Sequence, residues 1–185
     1  MRFTLLAVAT GVVAGLLTGG RFRNLSFRRL RLWPLLLGGV ALQALALRAG
    51  GPSTALLLAS YALLLAFAAA NVIVVGMWLV ATGIALNLAV VAVNGGMPVR
   101  PAALVAAGLA ERGRPGEVVL SGKHHLERPS DRLVPIDDRI PVPLLGEVAS
   151  AGDVVMAVGV ADVVARLLAP PAGRRTRRPL EASAK

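Results

Sequence analysis

From Thr54 to Val93 the chain runs for 40 residues without one charged side chain. As a single helix this stretch is about 60 Å long, twice the roughly 30 Å of a bilayer's hydrocarbon core. The run therefore has to fold back once. Asn71, strongly polar and near its midpoint, is the expected break, because Asn tolerates the left-handed conformation at a helix end. Three further apolar stretches flank it, at residues 3–20, from Trp33 to about Leu47, and from Ser150 to Leu168. With 56% hydrophobic residues, 16% charged residues and a mean hydropathy of +0.70, the composition falls outside that of soluble domains and within that of polytopic membrane proteins.

These runs predict an all-α membrane protein of about five transmembrane helices with an ordered extracytoplasmic loop of mixed extended and short helical structure. The corresponding division is a four-span bundle over 1–94, an extracytoplasmic loop over 95–148, a fifth transmembrane helix over 149–170 and a basic cytoplasmic tail over 171–185. Residues 3–20 read as a retained span, since Arg2 stands alone before the apolar run and the arginine cluster follows it. Gly11, Gly15 and Gly19 recur every four residues, a small-residue stripe against which another helix backbone can pack closely.

The net charge of +10 is concentrated at two places, Arg21, Arg23, Arg28, Arg29 and Arg31, and then Arg174, Arg175, Arg177, Arg178 and Lys185. Both clusters flank apolar segments, which favours positive-inside orientation and attraction to anionic headgroups over nucleic-acid binding. Between them, loop 95–148 balances seven basic against seven acidic residues. The expected location is the plasma membrane, multi-pass, with the N-terminus and the loop outside and the C-terminus cytoplasmic. No cysteine is present, so disulfides and thiolate chemistry are excluded.

Candidate functional residues gather at the loop and its borders. Asn87 and Asn94 lie seven apart, on one face of the fourth apolar helix, and a carboxamide in hydrocarbon needs partners. Past Asn94-Gly95-Gly96-Met97-Pro98-Val99, a short helix over 101–110 is expected to lie at the interface, and Gly113-Arg114-Pro115-Gly116 breaks the chain. Residues 117–143 alternate short apolar runs with Gly, Pro and Asp and read as extended segments and turns. His124 and His125 are the two histidines. Adjacent in an extended segment they point to opposite sides, so they do not grip one ion, and no ligand spacing for a metal is present. Ser150 and Asp153 form the S-x-x-D pattern of a capping box, and Asp162 stands four residues before Arg166, close enough to pair with it. The candidate binding residues are thus Asn87, Asn94, Gly95, Gly96, Met97, Pro98, Lys123, His124, Asp138, Pro141, Ser150 and Asp153. His124, Asp138 and Asp153 are the candidates for acid/base work, with no metal and no cofactor expected.

The series Asn94-Gly95-Gly96-Met97-Pro98-Val99, Lys123-His124, Asp138-Arg139-Ile140-Pro141 and Ser150-Ala151-Gly152-Asp153 resembles a bacterial family of small integral membrane proteins known as a domain of unknown function. That family's pattern runs Leu-Gly-Asp where this chain has Ile136-Asp137-Asp138, leaving both aspartates open as the counterpart. The resemblance implies a membrane location and points to the motif positions; it brings no activity, substrate or cofactor. Three functions fit: binding of an envelope lipid or protein partner through the outer loop, an enzyme acting on a lipid or lipid-linked substrate, or a structural subunit packed through the glycine stripe.

Overall fold

The computed structural model describes residues 2–25, 30–48, 54–111, 120 and 123–170. Five helices of 16 to 18 residues dominate it: α1 (Arg2–Leu17), α2 (Trp33–Arg48), α3 (Thr54–Ala70), α4 (Met77–Asn94) and α6 (Ala151–Leu168). Between α4 and α6 the chain forms β1 (Met97–Val99), the short α5 (Pro101–Ala106), β2 (His124–Leu126), β3 (Asp138–Val142) and β4 (Glu147–Ser150). The strands make one mixed sheet in the order β2-β1-β3-β4, parallel across β2-β1-β3 and antiparallel between β3 and β4.

This overturns the all-α, five-span expectation. Among the described helices only α4 is both long and apolar enough to cross a membrane; α1 and α2 have 16 residues and α3 has 17. Counting apolar residues overstates helix length because it takes in the turns. In the first stretch the helix stops at Leu17, where Gly19 adopts φ +85° and turns the chain. α6 has the length, but Asp153, Asp162 and Arg166 interrupt its apolar surface. The sheet is not legible in the sequence because the partners of β1 lie about 27 and 40 residues ahead of it.

The chain turns at Asn71 by a mechanism other than the one expected. Asn71 is not left-handed; its Oδ1 accepts from the backbone N–H of Arg31 at 2.7 Å, and its Nδ2 donates to the carbonyls of Arg31 and Phe67. Gly76, at φ +90°, supplies the left-handed step into α4. The fold-back thus ties the turn between α3 and α4 to the start of α2.

Helix α6 packs against α1 on one side and α4 on the other, while α2 packs on α3 and α3 on α4. Small residues set the contacts to α6. A Cβ on Gly11 would lie 2.6 Å from the Ala161 carbonyl oxygen, one on Gly15 would lie 3.0 Å from Leu168, and one on Gly83 would strike the Gly152 carbonyl. Gly11 and Gly15 are therefore occupied from within the chain, and Gly19 faces open space. The expected pair within α6 is present, Arg166 Nε donating to Asp162 Oδ2 at 2.8 Å. α5 is shorter than the predicted 101–110 and buries Ala103 and Leu104 against β3 and β4.

The helices are apolar nearly all round, so there are two apolar surfaces. Inside, Leu57, Tyr61, Leu64 and Phe67 of α3 meet Val80, Ile84 and Val91 of α4, with Met97 of β1 closing one end. Outside, Leu5, Val13, Leu37, Leu45 and Trp78 remain exposed, and Ile73 is 90% exposed. The sheet sits at one end of the bundle, beside the C-terminus of α4 and the N-terminus of α6. The opposite end carries Arg21, Arg23, Arg31, Trp33 and Trp78.

Candidate functional site

Strand register collects the polar residues at the sheet end. Met97 pairs with His124, Val99 with Asp138, and Asp138 with Ser150. Because alternate residues of a strand share a face, His124, Asp138 and Ser150 come out side by side across three strands, with Met97 and Val99 between them. Their sequence separations of 14 and 12 residues conceal this adjacency.

His124 Nε2 stands 3.1 Å from Asp138 Oδ2, and the Asp138 side chain is only 4% exposed. Asp138 Oδ1 is buried with no hydrogen-bond partner. Burial lowers the His124 pKa, and the Lys123 charge lowers it further against the opposing pull of the Asp138 hydrogen bond. The imidazole is accordingly neutral at pH 7. Burial would also lower Lys123, but Tyr61, Asp138, Asp153 and Glu147 around it prevail and hold its ammonium above the ordinary value. Lys123, His124 and Asp138 thus bring a cation, a neutral imidazole and a carboxylate within electrostatic reach of one another.

The second group, Asn87, Ser150 and Asp153, is satisfied internally. The Ser150 hydroxyl accepts from the Asp153 N–H at 2.9 Å while Asp153 Oδ2 accepts from the Ser150 N–H, so the predicted capping box is formed. Asn87 of α4 completes it, Nδ2 donating to Asp153 Oδ1 and Oδ1 accepting from the Ser150 hydroxyl, both at 2.8 Å. With both carboxylate oxygens engaged, Asp153 holds α4 to α6. Of the two aspartates proposed as partners for His124, the geometry selects Asp138.

The remaining candidates make separate contacts. Asn94 clasps the backbone of Arg132, donating to its carbonyl and accepting from its N–H, each at 2.8 Å. Gly95 takes φ +69° to end α4, and its carbonyl accepts from the Thr54 hydroxyl. At Gly96 a Cβ would press within 3.1 Å of the Lys123 carbonyl and of His125 Nδ1, so this glycine lets β1 and β2 close. Met97 and Pro98 are fully buried, and Pro141 is exposed on β3. His125 points away from His124, with Nε2 3.2 Å from Asp131 Oδ2. Among the described residues no group of three His, Asp or Glu side chains is arranged to hold a metal. The Gly113-Arg114-Pro115-Gly116 break and the basic tail lie outside the described residues.

Ile136-Asp137-Asp138 separates its two carboxylates. Asp137 is fully buried, 3.3 Å from Arg139 Nε, and its pKa is pushed up to about 6, chiefly by burial, against the lowering effect of Arg139. Two participants lie beyond the sequence-based candidates. Tyr61, the chain's one tyrosine, lies buried in α3 within electrostatic reach of Lys123; a phenol in a largely apolar, uncharged helix is the available signal, since a buried hydroxyl needs a partner. Glu147 caps a distant helix, Oε1 and Oε2 accepting from the N–H groups of Arg2 and Phe3 at 2.9 and 3.0 Å. Nothing local to either sequence segment marks that contact.

No curated protein and no solved structure matches this chain. A family model does match, over residues 24–165, a range that holds every candidate binding and acid/base residue. By that match the chain belongs to the family of unknown function DUF5317.

Proposed function

We propose that this protein resides in the plasma membrane and binds the polar headgroup of a membrane lipid beside Lys123, His124 and Asp138 at the sheet end of the bundle. The observation that carries the reading is the pairing of that charged, partly buried cluster with a bundle whose outside is apolar. Leu5, Val13, Leu37 and Ile73 are among many large apolar side chains left exposed, more than helices facing water commonly present. Trp33 and Trp78, each about half exposed, stand with Arg21, Arg23 and Arg31 at the end away from the sheet, as an interfacial belt on a cytoplasmic side would. In this arrangement the sheet lies outside, at headgroup depth, and α4 crosses.

The test is purification from native membranes. Wild-type protein is expected to resist carbonate extraction and to carry one lipid class that Lys123→Met protein of equal yield loses. Recovery in the soluble fraction, or the same lipid profile in both proteins, overturns the reading.

The contact of 3.1 Å between His124 and Asp138 favours a second reading, an enzyme in which His124 serves as acid/base toward a lipid-linked substrate while Asp138 orients it. Under that reading His124→Ala abolishes turnover and leaves lipid retention intact; under the first, His124→Ala reduces retention itself.

A further inference from the structure

The end of the bundle away from the sheet carries charge of one sign. Among the described residues every carboxylate except that of Asp162 belongs to the sheet, its connections or the first turn of α6, and Asp162 is paired with Arg166. Arg21, Arg23 and Arg31 thus stand exposed at the other end with no described acidic side chain to balance them. The sequence adds Arg28 and Arg29 to the same connection between α1 and α2. The side chains are exposed, but the backbone beneath them is held. Leu168 O, at the end of α6, accepts from the Arg21 N–H at 2.9 Å and from Asn24 Nδ2 at 3.0 Å, and Arg31 is tied to Asn71 through both its N–H and its carbonyl. An anion that meets these guanidinium groups therefore has only side chains to order.

The outer surface of α1 carries an open groove of about 380 Å³ lined by Leu6, Ala9, Thr10, Val13, Ala14 and Leu17, apart from the Gly11 and Gly15 face that packs on α6. The Thr10 hydroxyl donates to the Leu6 carbonyl of its own helix at 2.8 Å, which leaves the lining apolar in character. From Leu6 to Leu17 the groove is about 16 Å long, close to the roughly 15 Å of hydrocarbon in one leaflet. Its Leu17 end lies four residues before Arg21.

We propose that this groove and the arginines at its end seat an anionic phospholipid of the cytoplasmic leaflet, one acyl chain along α1 and the phosphate diester at Arg21 and Arg23. The inference rests on the membrane residence proposed above and not on the headgroup site beside Lys123. A headgroup of net negative charge supplies what this end lacks, and a guanidinium meets a phosphate through two parallel N–H donors. A zwitterionic headgroup brings a cation of its own, which offsets the attraction. Phe22, between the two arginines and 62% exposed, is the aromatic anchor that an interface at this depth favours.

Full-length protein is placed in nanodiscs of phosphatidylglycerol and phosphatidylethanolamine with identical acyl chains, and the lipid retained on transfer to detergent is measured by native mass spectrometry. At roughly five-fold per arginine, wild type is expected to retain the glycerol lipid about twenty-fold over the ethanolamine lipid. Replacing both arginines, Arg21→Gln with Arg23→Gln, is expected to bring that ratio close to one, and Arg21→Lys with Arg23→Lys to keep it. Arg48→Gln, at the sheet end of α2, is expected to leave it unchanged. Ala9→Leu fills the groove on an exposed flank of α1 and is expected to lower retention of the glycerol lipid several-fold. Equal retention of the two lipids by wild type overturns the proposal and needs no variant. A preference that survives the glutamine pair and is lost in Lys123→Met also overturns it, and moves the anionic lipid to the sheet end. If the glutamine pair abolishes the preference while Ala9→Leu changes nothing, the headgroup assignment stands and the groove assignment falls. Recovery of wild type in the soluble fraction overturns membrane residence and this inference with it, whereas equal retention by a carbonate-resistant protein overturns this inference alone.

Discussion

Replacing Asp137 by asparagine is expected to stabilise the protein at neutral pH, an unusual outcome for a fully buried polar residue. In the folded chain the Asp137 carboxyl titrates near pH 6, against 3.8 for the unperturbed group. Between those values the folded state binds the proton more tightly than the unfolded state does. Stability from this group is therefore greatest at low pH and is lost as pH rises through about 6. At 1.36 kcal/mol per pH unit the gap corresponds to up to about 3 kcal/mol of destabilisation at pH 7.5. Neither Asp137 oxygen has a hydrogen-bond partner, so asparagine forfeits none. Its new amide donors cost ~1 kcal/mol if left unsatisfied, which leaves a net gain of about 2 kcal/mol at pH 7.5. At pH 3, where both proteins are neutral at this position, the gain disappears. Urea unfolding of the two proteins in the same detergent, followed by tryptophan fluorescence at pH 3, 5 and 7.5, measures the difference directly and cancels every other titrating group. Arg139→Met should widen it, because the guanidinium 3.3 Å away is what restrains the shift. A difference that stays flat with pH would refute the assignment of a destabilised, buried charge.

Gly152→Ala drives a methyl into Asn87 Oδ1 and the Gly83 carbonyl, so it should destabilise by about 2 kcal/mol or more, while Gly38→Ala, with Leu63 at 3.5 Å as its near neighbour, should leave the melting temperature within a degree or two. Glu147→Gln replaces a carboxylate cap on α1 and should cost about 1 kcal/mol, read as faster amide exchange at Phe3 than in wild type. Burial opposes ionisation of Glu147, yet the hydrogen bonds it accepts, those from the amides of Arg2 and Phe3 among them, hold its pKa below the ordinary value; its contribution is present above that range and fades on acidification, so exchange in the two proteins should converge at low pH. A reporter fusion after Leu120, past the crossing helix α4, should give an extracytoplasmic signal; a cytoplasmic signal there would refute the proposed orientation.

Much of the site is legible in the sequence as a set of residues and not as an arrangement. The capping box of Ser150 and Asp153, the divergence of His124 from His125 and the pairing of Asp162 with Arg166 all depend on spacings within one element, and each is present as expected. The need of Asn87 for a partner follows from its apolar neighbours, but the partner itself, the cap of another helix 63 to 66 residues away, does not. Tyr61 and Glu147 escape sequence reasoning for the same reason.

Local chemistry in this chain determined which segments are apolar, where the long uncharged run must turn, and which side chains need a hydrogen bond. These follow from neighbours within a turn or two along the chain. Tertiary structure decided the rest. It placed Gly11, Gly15, Gly83 and Gly152 where helices touch, closed four short strands into a sheet, and chose Asp138 over Asp137 and Asp153 as the partner of His124. Contacts made across tens of residues depend on register and on the packing of whole elements, and neither is encoded in the spacing of any one motif.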